Sequence, residues 1–540
     1  MHFLILLITT FIPLSFVFSP FLHDGFFPTM DDVQVVRIEE MYKELISGQF
    51  PVRIANDLGN GAGYMLFQFY SPLVYYIGAI LHLLGFTLVI STKLTFLSGF
   101  ILAWIGIVLL LREYFDDVST FFGSVLFFGS SYLGYDAFHR GALAEFYALA
   151  VLPLIFFLLV KYSKSYSYFY FLSSAFSIAG LIITHNLTTL ITIPFIFIAI
   201  VLLCRKNLFK GLSVLILGAL LSAFYWLPVA VENKYIIINQ VDFIINTYKT
   251  HFLTLPQLIG LEKPAWGFLP PMLGINLFFG ALGGIILLII NQKFKFLKTK
   301  IDIFIIFSAA SFLISLLMAS KTSEIIWQPV SPILRYIQFP WRFLTIATFF
   351  GVISCTFLIS KVKPLPVKIM FGFILILPLF TIQYTYLQPK EYNYISKYTA
   401  DDPCGTAGWS NEYIPVWVKE CRLKSDKVKP ISIIKGDILI DNFNVKNHKR
   451  TYTVTTTGTV GTLLFDKYYF PGWEVKVDGQ PVTQLVSSPH GFIAAEIPSG
   501  KHQVSLTFSN TQIRVVANLI SLAGILISGF IFWRSLKKYK

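Results

Sequence analysis

The sequence predicts a polytopic α-helical membrane protein of about 12 spans carrying an extracytoplasmic β-sandwich domain, and three observations predict it. Hydrophobic residues make up 55% of the 540 and charged residues only 13%, with a mean hydropathy of +0.67. Soluble domains carry roughly twice that charged fraction. Runs of around 20 nearly uncharged residues recur along the chain, each long enough to cross a bilayer. After Gln388 the texture changes to short alternating segments, the pattern of strands.

The net charge of +14 follows from the same architecture. Basic residues gather in short stretches between apolar runs: Lys293, Lys295, Lys298 and Lys300, then Lys361, Lys363 and Lys368, then Arg534, Lys537, Lys538 and Lys540. That is the positive-inside signature, and no nucleic-acid partner is expected.

The first apolar run, His2 to Phe18, lacks a basic leader and a small-residue cleavage site, so it reads as an uncleaved first span. Further spans are expected at Ser91 to Leu111, Val118 to Tyr135, Phe146 to Val160, Tyr168 to Thr184, Thr188 to Leu203 and Gly211 to Val229. The rest fall at Pro271 to Ile290, Ile301 to Ala319, Phe343 to Ser360, Val367 to Tyr384 and Val515 to Trp533. Pro72 to Phe86 is also apolar, and counting it as a span reverses everything after it. If it stays at the outer interface, Arg112, Lys161, Lys164, Arg205, Lys206, Lys210 and the lysine clusters all fall inside, with both termini cytoplasmic. It is therefore expected as an interfacial or re-entrant helix, with Tyr70, Tyr75 and Tyr76 at headgroup level.

This topology suits a multi-pass protein of the plasma or inner membrane. It gives a transmembrane domain over 1–387 with outer loops 20–70, 230–270 and 320–342, an extracytoplasmic β-rich domain over 388–513, and a final helix with a basic cytoplasmic tail over 514–540. Cys404 and Cys421 lie in the outer domain, where a disulfide is permitted and two free thiols are the alternative. Cys204 and Cys355 lie in spans. Strands are expected at Thr451 to Thr457, Val460 to Phe465, Trp473 to Val477, Phe492 to Ile497 and Gln503 to Phe508, with Asp478-Gly479 as a hairpin turn.

The first outer loop carries the most chemistry. Asp31 and Asp32 precede an amphipathic stretch in which Val35, Ile38, Met41, Tyr42, Leu45 and Ile46 share one face, opposite Arg37, Glu40, Lys43 and Glu44. That pattern predicts a helix lying along the membrane surface. The aspartates serve as helix caps on one reading. On the other, two carboxylates at the outer leaflet bind a divalent cation, Mg or Mn, or take a proton from an acceptor hydroxyl. Both can hold together, since a cap fixes a carboxylate in place.

With Arg53, Asn60-Gly61-Ala62-Gly63-Tyr64 and Phe69-Tyr70-Ser71-Pro72-Leu73, this loop resembles bacterial membrane proteins named for a 6-pyruvoyl-tetrahydropterin synthase-related domain, grouped with GT-C glycosyltransferases. Arg140-Gly141-Ala142-Leu143-Ala144-Glu145, Thr184-His185-Asn186 and Ile337-Gln338-Phe339-Pro340-Trp341-Arg342-Phe343 extend the resemblance over most of residues 1 to 385. Tyr468-Tyr469-Phe470-Pro471-Gly472-Trp473 through Val477-Asp478-Gly479 is similar to the tail of YfhO-like membrane proteins. The resemblance implies a GT-C-like fold and sugar transfer from a polyprenyl-phosphate carrier. Asp32 then matches the catalytic acid and Asp31 its neighbour, where relatives often carry His-Asp.

The chain has no Walker loop and no dinucleotide fingerprint, so an outward-facing transferase needs a lipid-borne donor. Arg53, Arg140, Arg335 and Arg342 are the outer-side cations for its phosphate, with snorkelling to lipid headgroups as the alternative for each. Glu145 opens a span just after Arg140, and His185 interrupts two spans. Ionisable groups at such depth are functional candidates, against a structural Arg140–Glu145 pair and a satisfied buried imidazole. Glu232, Asp242, His251, Glu262 and Trp266 occupy the second long outer loop. Trp409, Trp417 and Trp473 either stack on sugars or fill a sandwich core.

The expected activity is transfer of a sugar from a polyprenyl-phosphate-linked donor to an extracytoplasmic glycan, lipid or protein. The alternative is a transporter or non-catalytic assembly factor for lipid-linked glycans.

Overall fold

The computed structural model describes residues 2–537 apart from 265–268, 292–299, 382, 390, 393–401, 409, 427–428 and 447. Lys293, Lys295, Lys298, Lys538, Lys540, Trp266 and Trp409 lie outside the described residues. Each segment expected to span contains helix, although the one expected from Pro271 becomes helical only at Ile275. Among the described residues, five helices are long and apolar enough to cross a membrane, against about 12 spans expected: Leu88–Arg112, Leu143–Ser165, Asn186–Leu203, Pro340–Lys361 and Gln512–Lys537. The count rises to 7 if two bent pairs each act as one span, Leu4–Pro13 with Ser15–Leu22 (58°) and Arg205–Leu221 with Ala223–Tyr235 (72°).

Tyr168–Thr184, Ile275–Ile290, Ile303–Ala319 and Leu365–Thr381 are apolar but shorter. The segment expected to span at Val118 to Tyr135 breaks at Gly129 after helix Asp117–Phe128, then continues through Ser131–Gly134 into a π-helical turn, Tyr135–Arg140. A π turn re-aims its side chains relative to an α-helix, and here it sets Asp136 and Arg140 side by side.

The core is aromatic. Phe100 packs on Phe146 at 4.5 Å and on Phe138 at 5.8 Å between ring centroids, all three buried. Helices Leu88–Arg112 and Leu143–Ser165 approach closely because Gly106 has no side chain: a Cβ there would stand 2.7 Å from the Leu154 nitrogen.

Two features of this region could not be read beforehand. Pro72 to Phe86 forms a short helix, Leu73–Leu83, and two of its tyrosines are held by protein partners. The Tyr75 hydroxyl is fully buried, donating to Gln34 Oε1 at 3.0 Å and accepting from Arg37 Nη1 at 3.1 Å, and the Tyr76 hydroxyl accepts the Val52 amide at 2.7 Å. Helix Gln34–Ile46 forms as expected, yet its polar face is covered: Gln34, Arg37, Glu40 and Glu44 are buried while Ile46 is 59% exposed. The protein itself satisfies that face, because Glu44 accepts from the Asn56 amide, the Asn56 side chain and Gln49. Amphipathic spacing identifies the helix but does not say which medium each face meets.

The C-terminal strands form one seven-stranded antiparallel sheet rather than two separately bonded ones. Strands β1 (Ile431–Lys435), β3 (Lys449–Tyr468), β7 (Phe492–Phe508), β4 (Trp473–Val477) and β5 (Gln480–Pro481) run in the order β1-β3-β7-β4-β5. β2 (Ile438–Lys446) also pairs with β3, and β6 (Gln484–Ser487) with β7. The four strands expected around 451–465 and 492–508 are halves of the long β3 and β7. Both halves pair, with an irregularity between Thr456 and Val460 where β3 changes its second partner from β2 to β1. Such a bend lets one sheet enclose Val454, Leu463, Ile493, Ile497, Val504 and Leu506, all buried.

The Asp478-Gly479 hairpin is present, with positive φ at both residues (49° and 82°), as a two-residue turn of that hand requires. Cys404 and Cys421 are bridged. The disulfide loop packs onto the first outer loop: Gly405 O accepts from the Gly59 amide at 2.8 Å, and Tyr64 Oη accepts from the Tyr413 amide at 3.1 Å. Trp473 is core at 2% exposure, and Trp417 packs on Tyr469 at 4.7 Å.

Candidate functional site

The aspartate turn is clamped by its backbone to the π turn. Met30 N donates to His139 O at 2.9 Å and Asp31 N to Arg140 O at 2.7 Å. Gly141 makes this seam possible. Its φ of +68° is the left-handed region, and a Cβ there would collide with the Thr29 side chain. Gln34 Nε2 ties the same seam by donating to Gly141 O at 2.8 Å. The N-cap of helix Gln34–Ile46 is Val33, one residue after the aspartate pair.

Beside this turn lies a buried ion cluster. Glu145 Oε2 accepts from Arg140 Nη1 at 2.5 Å and from Arg342 Nε at 3.0 Å, and Glu145 Oε1 accepts from Tyr132 Oη at 3.1 Å. Arg140 Nη1 also lies 3.4 Å from Asp136 Oδ1. Arg342 Nη1 donates to Ile337 O at 2.6 Å and Gln338 Oε1 at 3.1 Å. Gln338 takes a φ of 63°, costly for a side chain with a Cβ, and thereby turns toward Arg342.

The guanidiniums lie under aromatic rings: Arg140 is 5.1 Å from the Trp341 centroid and Arg342 is 4.9 Å from that of Phe339. Among the described residues, Nη2 and Nε of Arg140 and Nη2 of Arg342 have no acceptor. The charge of Asp31 acts on both Arg140 and Arg37. His185 joins this cluster electrostatically, while its Nδ1 accepts the Thr188 amide at 3.2 Å and so caps helix Asn186–Leu203.

Of the expected site residues, Asp31, Asp32, Arg140, Glu145, His185 and Arg342 are thus drawn to one region. Arg335 stands on the neighbouring turn, 5.3 Å from the Tyr336 ring centroid, with its Nε buried. Arg53 goes elsewhere. It donates to Gln68 Oε1 (2.8 Å), Phe224 O (3.2 Å) and Asn518 Oδ1 (3.1 Å), within a second network centred on Glu232. Glu232 accepts from Gln68, Thr511 and Arg514, the last at 3.0 Å, so it ties the final helix to the body.

Asp136, Arg37, Gln34 and Tyr132 were not singled out from the sequence. Asp136 had a signal, as an acid four residues before Arg140 at the end of an apolar run. No group of three or more His, Cys, Asp or Glu among the described residues is placed to hold a metal.

Glu40, on the covered face of the surface helix, gives a pH prediction. Its carboxylate accepts the Asp57 amide at 3.2 Å and lies 3.6 Å from Lys43 Nζ. Burial, reinforced by Asp57, outweighs that lysine and lifts the carboxyl from 4.5 to about 8. A raised carboxyl favours the protonated fold. Its contribution is complete below pH 4.5 and is lost as pH rises through about 8. The thermal midpoint of the protein in detergent is expected to fall across that window, and Glu40→Gln to flatten the fall. An unchanged slope in the variant counts against this assignment.

Fold and site together define an apolar multi-helix protein with an acidic turn set against a buried guanidinium cluster. No family model matches the sequence, and no curated protein does. Among solved structures, the crystal structure of ArnT from Cupriavidus metallidurans bound to undecaprenyl phosphate is similar at a TM-score of 0.43 and 12% identity. The match covers 69% of this chain and 62% of that one, under two thirds of its length.

Proposed function

We propose that the chain is an integral-membrane GT-C-type glycosyltransferase that moves a sugar from a polyprenyl-phosphate-linked donor to an extracytoplasmic glycan, lipid or protein. One observation carries the reading: Arg140 and Arg342 share Glu145 yet keep N–H groups without acceptors among the described residues, next to the backbone turn of Asp31 and Asp32. Guanidiniums with unfilled donors suit a phosphate, and carboxylates suit an acceptor hydroxyl.

In this mechanism the acceptor oxygen bonds to the anomeric carbon as the bond from that carbon to the phosphate oxygen breaks. The electron pair leaves with the phosphate, which Arg140 and Arg342 hold, and Asp32 takes the hydroxyl proton. Asp31 faces the guanidiniums and positions the turn. Glu145 holds both arginines in register, and His185 fixes the start of its helix beside them. Two adjacent carboxylates with substrate phosphate oxygens also suit Mg or Mn, which would add charge neutralisation at the phosphate. Arg53 has no part in this cluster, and Arg335 is assigned to the rim of the donor site.

The test is a transfer assay with radiolabelled polyprenyl-phosphate sugar and the purified chain in vesicles. Label attached to an acceptor supports the reading. Label that crosses the bilayer without attachment makes the chain a transporter and overturns it.

A further inference from the structure

The loop closed by the Cys404–Cys421 bridge is gripped at both ends by Asn60. Its Nδ2 donates to Pro403 O at 2.8 Å and to Arg422 O at 2.6 Å, the carbonyls just outside the two cysteines. Within the loop, Ala407 is fully buried at a φ of 53°. A side chain with a Cβ holds that left-handed conformation only where its surroundings impose it. The result is a carbonyl aimed inward: Ala407 O accepts from Arg37 Nε at 3.2 Å and from Arg37 Nη2 at 2.6 Å.

From Arg37 the bonding runs without a break to the seam beside the aspartates. Arg37 Nη1 donates to Tyr75 Oη at 3.1 Å, Tyr75 Oη to Gln34 Oε1 at 3.0 Å, and Gln34 Nε2 to Gly141 O at 2.8 Å. Gly141 follows Arg140, whose carbonyl accepts the Asp31 amide. Gln34, Arg37 and Tyr75 are 3%, 7% and 0% exposed, so water offers little substitute for a lost partner. Without Ala407 O, two of the three Arg37 nitrogens lose the acceptor they have here.

We propose that these bonds form a relay through which the disulfide loop sets the position of the aspartate turn, with Arg37 as its positioning residue, and that opening the disulfide slackens the turn. What the turn does chemically rests on the transferase reading, whereas the relay does not. The bridge is within reach of a reductant, because Cys404 and Cys421 are half-buried between exposed Pro403 and Leu423. A dithiol gives up two electrons and two protons, its own sulfurs pair, and Cys404 and Cys421 are left as thiols. The opened loop regains chain freedom, and Ala407 can leave its strained conformation.

The experiment follows hydrogen–deuterium exchange of residues 28–33 in the full-length protein in detergent, before and after reduction with dithiothreitol. Freed thiols are counted by alkylation and mass. Reduction is expected to speed exchange at the Met30 and Asp31 amides roughly tenfold, the worth of one charge-assisted hydrogen bond. Tyr75→Phe removes the hydroxyl at the centre of the relay. The variant should exchange faster at these amides while still oxidised and gain little more on reduction, whereas a loop that only adds stability would loosen it as much as the unaltered protein.

Unchanged exchange at Met30 and Asp31 once the thiols are free overturns the relay, and that arm needs no variant. So does an equal response to reduction in Tyr75→Phe, or an equal acceleration in strand β7, which would mark general loosening. No sugar donor enters the measurement, so a failed relay leaves the transferase reading standing, and failed transfer leaves the relay standing.

Discussion

Glu145→Gln is expected to be the most destabilising single substitution in the helical body. Glu145 is 1% exposed and is the shared acceptor of Arg140 and Arg342. Glutamine keeps the shape and one acceptor oxygen but removes the charge that two buried guanidiniums face. Breaking a buried ion pair by neutralising one partner costs roughly 3–5 kcal/mol, because the remaining charge stays desolvated. The measurement is the thermal unfolding midpoint in detergent. Adding Arg342→Gln to the first variant should cost much less than it does alone, since the two residues act as a unit. Additive losses, or an unchanged midpoint in Glu145→Gln, would show that the cluster does not hold the helices together.

The second large effect falls on chemistry rather than stability. Asp32→Asn is expected to leave the protein folded in the membrane and to abolish sugar transfer. Asparagine preserves the size of the side chain, and the turn is held by the main-chain bonds of Met30 and Asp31 rather than by the Asp32 carboxylate alone. What the substitution removes is the proton acceptor, and a general base typically contributes 10²–10⁴-fold. Asp31→Asn, tested beside it, should reduce transfer less. Undiminished transfer by Asp32→Asn refutes the base assignment, and a deeper loss in Asp31→Asn moves it to Asp31.

The helices and the site differ in how far they could be read beforehand. Segments such as Leu88–Arg112 and Leu143–Ser165 declare themselves because a bilayer demands some 20 apolar residues in a row, which is a local property. The Asp478-Gly479 turn is equally local. The union of Arg140, Glu145 and Arg342 is only half legible: Arg140 and Glu145 are neighbours in sequence, whereas Arg342 arrives from 197 residues away. Arg53 is expected in the same set because it too is a cation on the outer side of the membrane. The fold carries it instead to a carboxylate, Glu232, and an asparagine, Asn518, that lie far along the chain. The cover over the polar face of Gln34–Ile46 is illegible for the same reason. Periodicity reports that a face is polar, and only tertiary packing reports that Asn56 and Gln49 cover it.

The Glu232–Arg514 contact also has a consequence for biogenesis. During synthesis the carboxylate on helix Ala223–Glu232 emerges some 280 residues ahead of the arginine that neutralises it. Until helix Gln512–Lys537 is made and laid alongside, that carboxylate has Arg53 and Gln68 near it but lacks the two Arg514 nitrogens that pair with it in the finished fold. Prematurely terminated polypeptides would therefore remain open at that seam, and membrane proteases would meet them as unfinished goods.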